Sequence, residues 1–266
     1  MKVEKLIDDG SKKEDSLLIS ESVFGVFDGA NALDRFFDEE GKSGGLLASS
    51  IAKEEFSESD KPLKELAALA NRRIREKMLS AGVDLSRKVS LWCTTAAVVR
   101  VREGAFDWLQ IGDSLILVIH KDDSFELLVK DYDHDREVMV LWKELAQQKK
   151  EGIRKLIDPS LRKLRSQVNE THGCLTGEEK AIDFIRAGTH DLVNVKSILL
   201  FTDGLFIPKE DPGAEDDWGL FVRTFLQNGL LGLKSLVRSR EESDPECWRY
   251  PRYKQYDDIS AISLSF

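Results

Sequence analysis

Cysteine, histidine and long apolar runs are all scarce in this chain, and each scarcity removes a class of function. The three cysteines (Cys93, Cys174, Cys247) are odd in number, widely spread and outside any CxxC pair. A disulfide framework or a thiolate zinc site is therefore not expected, and a reducing, cytoplasmic compartment is. The four histidines (His120, His134, His172, His190) show no metal-ligand spacing. No apolar stretch approaches the ~20 residues needed to cross a bilayer. The first nine residues, MKVEKLIDD, have neither the long apolar segment nor the cleavage site of a secretory signal. Positive charge is also in deficit: 39 Lys and Arg against 48 Asp and Glu leave a net charge of −9. That balance excludes a general nucleic-acid binder, which needs a positive footprint, and attachment to anionic lipid. GxSxG, Walker, GxGxxG and HExxH motifs are absent as well.

What is present is enough apolar residue, 41% of 266, to build a packed core. Ser16–Ile19 and Val23–Phe27 are apolar runs of strand length. Residues 44–81 read as helical, with Leu63, Leu66, Ala67, Ala70, Ile74 and Met78 on one face and Gly82 as the stop. A meander of strands follows at 91–101, 105–111, 115–120 and 125–129, separated by short Glu-Gly, Gly-Asp and Asp-Asp breaks. Helical periodicity returns over 135–168, interrupted at Pro159. Strands are expected at 181–187 and 197–201, helix over 217–240, a polar loop over 241–256 and a last strand at 259–266. No repeat or linker divides the chain, so residues 1–266 read as one α+β domain of sheet and helix layers.

Acidic residues recur just after apolar strands. Phe24–Phe27 runs into Asp28-Gly29, Leu109–Gly112 into Asp113, and Ile198–Thr202 into Asp203-Gly204, while Asp257-Asp258 precedes the final strand. Carboxylates at strand ends can converge on one sheet edge, where rigid elements hold them. Several together repel unless cations neutralise them, and hard oxygen ligands select Mg²⁺ or Mn²⁺ over zinc. The spacing thus points to a carboxylate-bound divalent-metal site. The competing reading is structural, because Asp-Gly is also a common turn, and composition leaves the two near balance.

The segments Val26-Phe27-Asp28-Gly29, Cys93-Thr94-Thr95-Ala96, Ile111-Gly112-Asp113-Ser114, Leu200-Phe201-Thr202-Asp203-Gly204 and Asp257-Asp258-Ile259-Ser260 occur in an order that resembles the motif series of the metal-dependent (type 2C) serine/threonine protein phosphatases. Glu14-Asp15-Ser16 is similar to the first motif, and residues 169–188 to the stretch that precedes the last Asp-Gly motif in bacterial members. The resemblance implies a four-layer αββα sandwich, two mainly antiparallel β-sheets flanked by helix pairs, with the site at one edge. It implies that Asp28 bridges two Mn²⁺ or Mg²⁺ ions, that the Gly29 carbonyl ligates one of them, and that Asp203 and Asp257 complete the second. Asp113 would hold a third ion with Asp203, and Glu14 would act through a water beside Asp15. A metal-activated water would then hydrolyse phosphoserine or phosphothreonine on a phosphoprotein, with no protein nucleophile. A cognate Ser/Thr kinase is the implied partner, and the chain is expected to be a monomer without nucleic-acid or membrane partners.

Three positions depart from that pattern. Gly10 stands where an Arg usually grips substrate phosphate, leaving Lys12 or Lys13 to supply charge without a bidentate fork. Ala30 stands where many members have His, and Asp258 where they have Asn. These departures motivate an alternative, a catalytically degenerate pseudophosphatase that binds a phosphoprotein or kinase. A third reading, a dehalogenase-like phosphatase on Asp131-Tyr132-Asp133, rests on one short motif. Residues 131–168 are the candidate flap, and its basic positions Lys149, Lys150, Arg154, Lys155, Arg162, Lys163 and Arg165 read either as a solvated face or as a substrate-selecting surface. Trp248, Tyr250, Tyr253 and Tyr256 are expected to pack a long loop.

Overall fold

The computed structural model describes residues 1–57 and 60–266. In chain order the elements are β1 (Lys2–Asp8), β2 (Ser16–Ile19), β3 (Val23–Phe27), β4 (Gly29–Ala30), α1 (Gly44–Ser57), α2 (Leu63–Ser80), β5 (Cys93–Thr94), β6 (Ala96–Arg102), β7 (Ala105–Ile111), β8 (Leu115–His120) and β9 (Phe125–Leu127). There follow α3 (Arg136–Gln147), α4 (Ile153–Leu156), α5 (Asp158–Ser166), β10 (Arg186–Asp191), β11 (Val195–Phe201), α6 (Trp218–Glu242) and β12 (Ile259–Ser265). Two five-stranded antiparallel sheets form, in the orders β1-β12-β11-β8-β9 and β10-β7-β6-β3-β2.

The apolar-on-both-faces strands explain the layering. Val23–Phe27 is buried at every position because its two faces meet different layers. Phe24 and Val26 pack with Ala97, Val99, Ile116, Val118, Ile198 and Leu200 between the sheets. Phe27 turns the other way, onto α1 and α2, where Leu66, Ala70, Ile74 and Met78 are fully buried. Each of the larger side chains, Leu66, Ile74, Met78 and Phe27, contributes roughly 1.5–3 kcal/mol of apolar burial. On the far side, Phe221, Phe225, Leu233 and Val237 of α6 cover Leu117, Leu199, Phe201 and Ala261. This is the expected mixed α/β architecture with antiparallel sheets, layered helix, sheet, sheet, helix. A kink at Gly229 (φ 65°) splits α6 into two halves. Among the described residues, no helix is long and apolar enough to cross a membrane.

The helix face read from 63, 66, 67, 70, 74 and 78 is the buried one. Two expectations shift. Residues 181–187 were expected as a strand, but Glu179–Phe184 forms a 3₁₀ turn, and the strand begins at Arg186 where β7 offers a partner. A short apolar run cannot by itself distinguish these two outcomes. The N-terminal segment, without a strand assignment in the sequence reading, is β1. It lies at a sheet edge with charged, exposed positions and buries Leu6 alone, so its apolar signal is weak. Asp8 at its end accepts from Lys234 Nζ (2.8 Å) and Arg238 Nε (3.4 Å), fastening the edge to α6.

Helices α3, α4 and α5 build a cluster of their own. Val138, Met139, Trp142, Ile153, Ile157 and Leu161 pack together with Cys247 and Tyr253 of the loop after α6. Pro159 does not break this segment; it sits in the first turn of α5, where its missing N–H costs nothing.

Candidate active site

Strand register carries the acidic residues to one edge. In one sheet Ser16 faces Phe27, Val26 faces Ala97, and Ala96 faces Ile111. Asp15, Asp28 and Asp113 therefore leave the sheet on the same side. In the other, Phe201 is paired with both Leu115 and Ala261, which aligns Asp203 with the starts of β8 and β12. The turn Gly112–Ser114 carries the chain from the first sheet to the second, so Asp113 sits between the two groups.

The side chains confirm the convergence. Burial first, then the charges of Asp203, Asp15, Asp113 and Asp257, push the Asp28 carboxyl well above the ordinary carboxylate range. Asp203 rises for the same reasons, burial and then Asp257 and Asp113, with Lys254 opposing. Burial, aided by Asp258 and Asp257, lifts Asp15 to about 7 although Thr202 donates to it at 2.9 Å. Asp113 is likewise pushed up to about 7, by burial and then by Asp135. A cavity of about 170 Å³ opens beside this nest, lined by Asp113, Asp203 and Asp257 at one end and by Tyr132, Lys209 and Asp216 at the other.

The donor set fits hard divalent cations. Every converging side chain offers carboxylate oxygen, and Asp113 Oδ1 is buried without a hydrogen-bond partner. Among the described residues no three His, Cys, Asp or Glu side chains are preset as a metal cage. Like charges spread such a set, and Lys254 Nζ bonds Asp257 Oδ1.

Other expected residues are placed as follows. Gly29, in β4, pairs with Thr94 of β5, and the Thr95 amide donates to the Asp28 carbonyl at 2.9 Å. Glu14 is buried beside the nest; its Oε1 accepts from Ser43 at 2.5 Å, and Lys12 Nζ lies 3.9 Å from Oε2. Lys13 is exposed and pairs with Asp9. Asp258 acts as a clamp, with Oδ1 accepting from the Lys12 amide (3.1 Å) and Oδ2 from the Glu14 amide (2.6 Å). Gly10 has φ +43°, and a Cβ there would stand 2.4 Å from the Asp257 backbone, so no longer residue fits without moving the loop. Asp131 is exposed, and Asp133 holds Arg136 at 2.7 Å. Tyr132 and Asp133 of that run line the cavity wall, and the run does not end a sheet strand.

Two contributors, Asp135 and Lys254, stand outside the expected set. Asp135, raised to about 6 by burial and then Asp133, adds charge next to Asp113. Lys254 enters from the aromatic loop, whose rigidity comes from Arg252. That guanidinium donates to the carbonyls of Glu241, Asp244, Tyr250 and Gln255, and to the Asp244 carboxylate. Arg165 of α5 turns inward to the Cys93 sulfur and the Asn31 carbonyl (2.9 Å), so this one basic flap residue is structural and not solvated. No local spacing marks the convergence of Asp135 and Lys254 on the nest.

Comparison with known proteins identifies the family. The family model described as Protein phosphatase 2C matches residues 5–229. The chain belongs to that family. It is thereby a protein serine/threonine phosphatase by class. No curated protein matches it in sequence. Among solved structures, it is similar to the catalytic domain of the serine threonine protein phosphatase PstP in complex with two manganese ions (16% identity, TM-score 0.60, 99% of this chain and 97% of that one). It is also similar to the Stp1 phosphatase of Staphylococcus aureus (14%, TM-score 0.60, 99% and 94%). A third likeness is to PppA, a regulatory component of the T6SS in Pseudomonas aeruginosa (17%, TM-score 0.56, 100% and 97%). At these identities the structural likeness speaks for the phosphatase 2C fold.

The same close packing that excludes a side chain at position 10 governs Gly204. A Cβ there would meet the Asp258 carbonyl oxygen at 1.9 Å. Gly204→Ala is expected to push Asp203 away from Asp257 and to cost about 2–4 kcal/mol of stability. Chemical denaturation of the purified variant checks this, and an unchanged midpoint contradicts it.

Proposed function

We propose that this phosphatase 2C member hydrolyses phosphoserine and phosphothreonine on a protein substrate, using two Mn²⁺ or Mg²⁺ ions held by Asp28, the Gly29 carbonyl, Asp203 and Asp257. The observation that carries the reading is the nest itself: five partly buried carboxylates at one sheet edge with a single lysine among them. Such an accumulation of like charge is costly unless cations share it. Bound there, the ions would supply a water of lowered pKa and would neutralise charge on the transferring phosphoryl group. Asp28, surrounded by the other carboxylates, would hold the ions with Asp203 and Asp257, and Asp113, with its unpartnered oxygen, would with Asp203 hold a third. Glu14, fixed by Ser43, would orient solvent in the adjoining space. The Thr95–Ser114 hydroxyl pair (2.6 Å) braces the turn that presents Asp113.

Chain 1–266 then acts as one catalytic domain, with 131–168 as a flap beside the site. The exposed bases of that flap support a role in choosing among phosphoproteins. Replacing Lys149, Lys150, Lys155 and Lys163 with Gln is expected to change kcat/KM on acidic phosphopeptides by roughly 3–10-fold and to leave a small phosphate ester unaffected. Equal effects on both substrates, or none, contradict the role. A cytoplasmic monomer acting against a Ser/Thr kinase is the simplest setting for such an enzyme. The deciding experiment is hydrolysis of a chromogenic phosphate ester and a phosphothreonine peptide with Mn²⁺, Mg²⁺ or chelator. Metal-dependent release of phosphate is expected. Metal-loaded protein that binds the peptide and releases nothing would establish a phosphoprotein-binding pseudophosphatase instead.

A further inference from the structure

Three cations from separate parts of the chain lie near the carboxylate nest: Lys254 lines its cavity, Lys12 faces Glu14, and Arg154 lies on the cavity-lining Tyr253. Lys254 comes from the aromatic loop before β12, Lys12 from the segment between β1 and β2, and Arg154 from α4 of the flap. Contacts tie them to one neighbourhood: the Lys12 amide donates to Asp258 Oδ1 (3.1 Å), Lys254 Nζ bonds the adjacent Asp257, and Arg154 sits over Tyr253, the residue before Lys254. None of the three is saturated. Lys254 gives one of its three N–H groups to Asp257. Lys12 has Glu14 at 3.9 Å, too far for a hydrogen bond. Arg154 rests over the Tyr253 ring at 5.3 Å, and among the described residues it has no carboxylate within 4 Å.

We propose that Lys254, Lys12 and Arg154 form a cradle for the phosphate dianion of a phosphomonoester, assembled across the loop, the first sheet segment and the flap. Two further features make the cradle a built one. The Lys12 amide is clamped by Asp258, and the Arg252 hydrogen bonds hold the loop that delivers Lys254. Both lysines are therefore held by anchored backbone segments, while the Lys12 ammonium and the remaining N–H groups of Lys254 are available to an anion. Arg154 supplies the planar fork that a lysine lacks, and its place over Tyr253 holds that fork beside a residue that lines the cavity. Lys254 has a second consequence. An ammonium on Asp257 competes with a cation for the same oxygen, so the lysine is expected to yield that oxygen when the site is loaded and to turn its donors to the phosphate. Position 10, closed to any long side chain by the Asp257 backbone, contributes nothing to this grip.

The inference rests on the phosphatase reading of the same site, and the test separates the two. Inorganic phosphate is titrated by calorimetry into the Mn²⁺-loaded full chain, for wild type and for Lys254→Met, Lys12→Met and Arg154→Met, with Mn²⁺ affinity measured in parallel. Each substitution is expected to weaken phosphate binding by roughly tenfold. Arg154→Lys should recover part of that loss, and Lys254→Met should bind Mn²⁺ as tightly as wild type or more tightly. Lys12 and Arg154 are exposed, so their variants fold even if the Lys254 variant does not. Unchanged phosphate affinity in these two variants, or a loss that only follows lost Mn²⁺, overturns the cradle. So does a wild type that binds no phosphate. Wild type that binds phosphate through these residues yet never hydrolyses the phosphothreonine peptide overturns the catalytic reading and leaves the cradle standing.

Discussion

Asp28→Asn is expected to lose phosphate-ester hydrolysis by on the order of 10³-fold while making the ion-free protein more stable than wild type. The two effects share one cause. Asp28 is central to the nest, and burial together with Asp203, Asp15, Asp113 and Asp257 disfavours its charge. Replacing it with a neutral isostere removes that repulsion, a gain of about 1–3 kcal/mol in the absence of cations. The same substitution removes a carboxylate charge on which divalent binding is proposed to depend. Stability should therefore rise in chelator, and the stabilisation by added Mn²⁺ should shrink. Thermal unfolding with and without Mn²⁺, beside the hydrolysis assay, checks both. Full activity in this variant would sink the mechanism, and reduced stability in chelator would show that Asp28 is not under electrostatic stress.

The second large effect is on pH. Asp15 and Asp113 are held at about 7 in the ion-free fold, against 3.8 for an ordinary aspartate. The folded state thus binds more protons than the unfolded state between about pH 4 and 7. Ion-free stability is then highest toward the acidic end of that window and falls as pH rises through it, by about 1.4 kcal/mol per pH unit for each proton involved. Above about 7 the whole destabilisation is present. Cations bind the deprotonated carboxylates, so Mn²⁺ should raise the melting temperature far more at pH 8 than at pH 5, and binding near pH 6 should release protons. Melting curves from pH 5 to 8.5 in chelator and in Mn²⁺, with proton release read from calorimetry in two buffers, measure this. Parallel pH profiles with and without the metal contradict it.

Much of this molecule is legible from the order of its residues. Strand-length apolar runs that lack alternation announce sheets covered on both faces, and β3, β6, β8 and β11 are covered that way. The spacing of Leu66, Ala70, Ile74 and Met78 defines the inner face of α2. Aspartates placed just after apolar strands identify Asp28, Asp113 and Asp203, and one just before the last strand identifies Asp257, because a strand end is a local feature and the site is made of strand ends. Fold class and the identity of the nest are properties of local pattern repeated along the chain.

Other features belong to no local pattern. Whether Asp28 and Asp203 share an edge depends on the pairing of Phe201 with Leu115 and Ala261 and of Ala96 with Ile111. Lys254 becomes a partner of Asp257 only because Arg252 folds its loop back on α6, and Arg154 joins it only because the flap packs on Tyr253. Asp258 holds the amides of Lys12 and Glu14 across a separation of more than 240 residues. Even the reason Gly10 must be glycine lies in the Asp257 backbone pressed against it. Sequence by itself determined the layers, the strands and the acidic residues at their ends, since those follow from burial and short-range geometry. Tertiary structure alone decided which charges meet, because Coulomb interactions depend on distance in space and the chain brings these groups together only through long-range pairing.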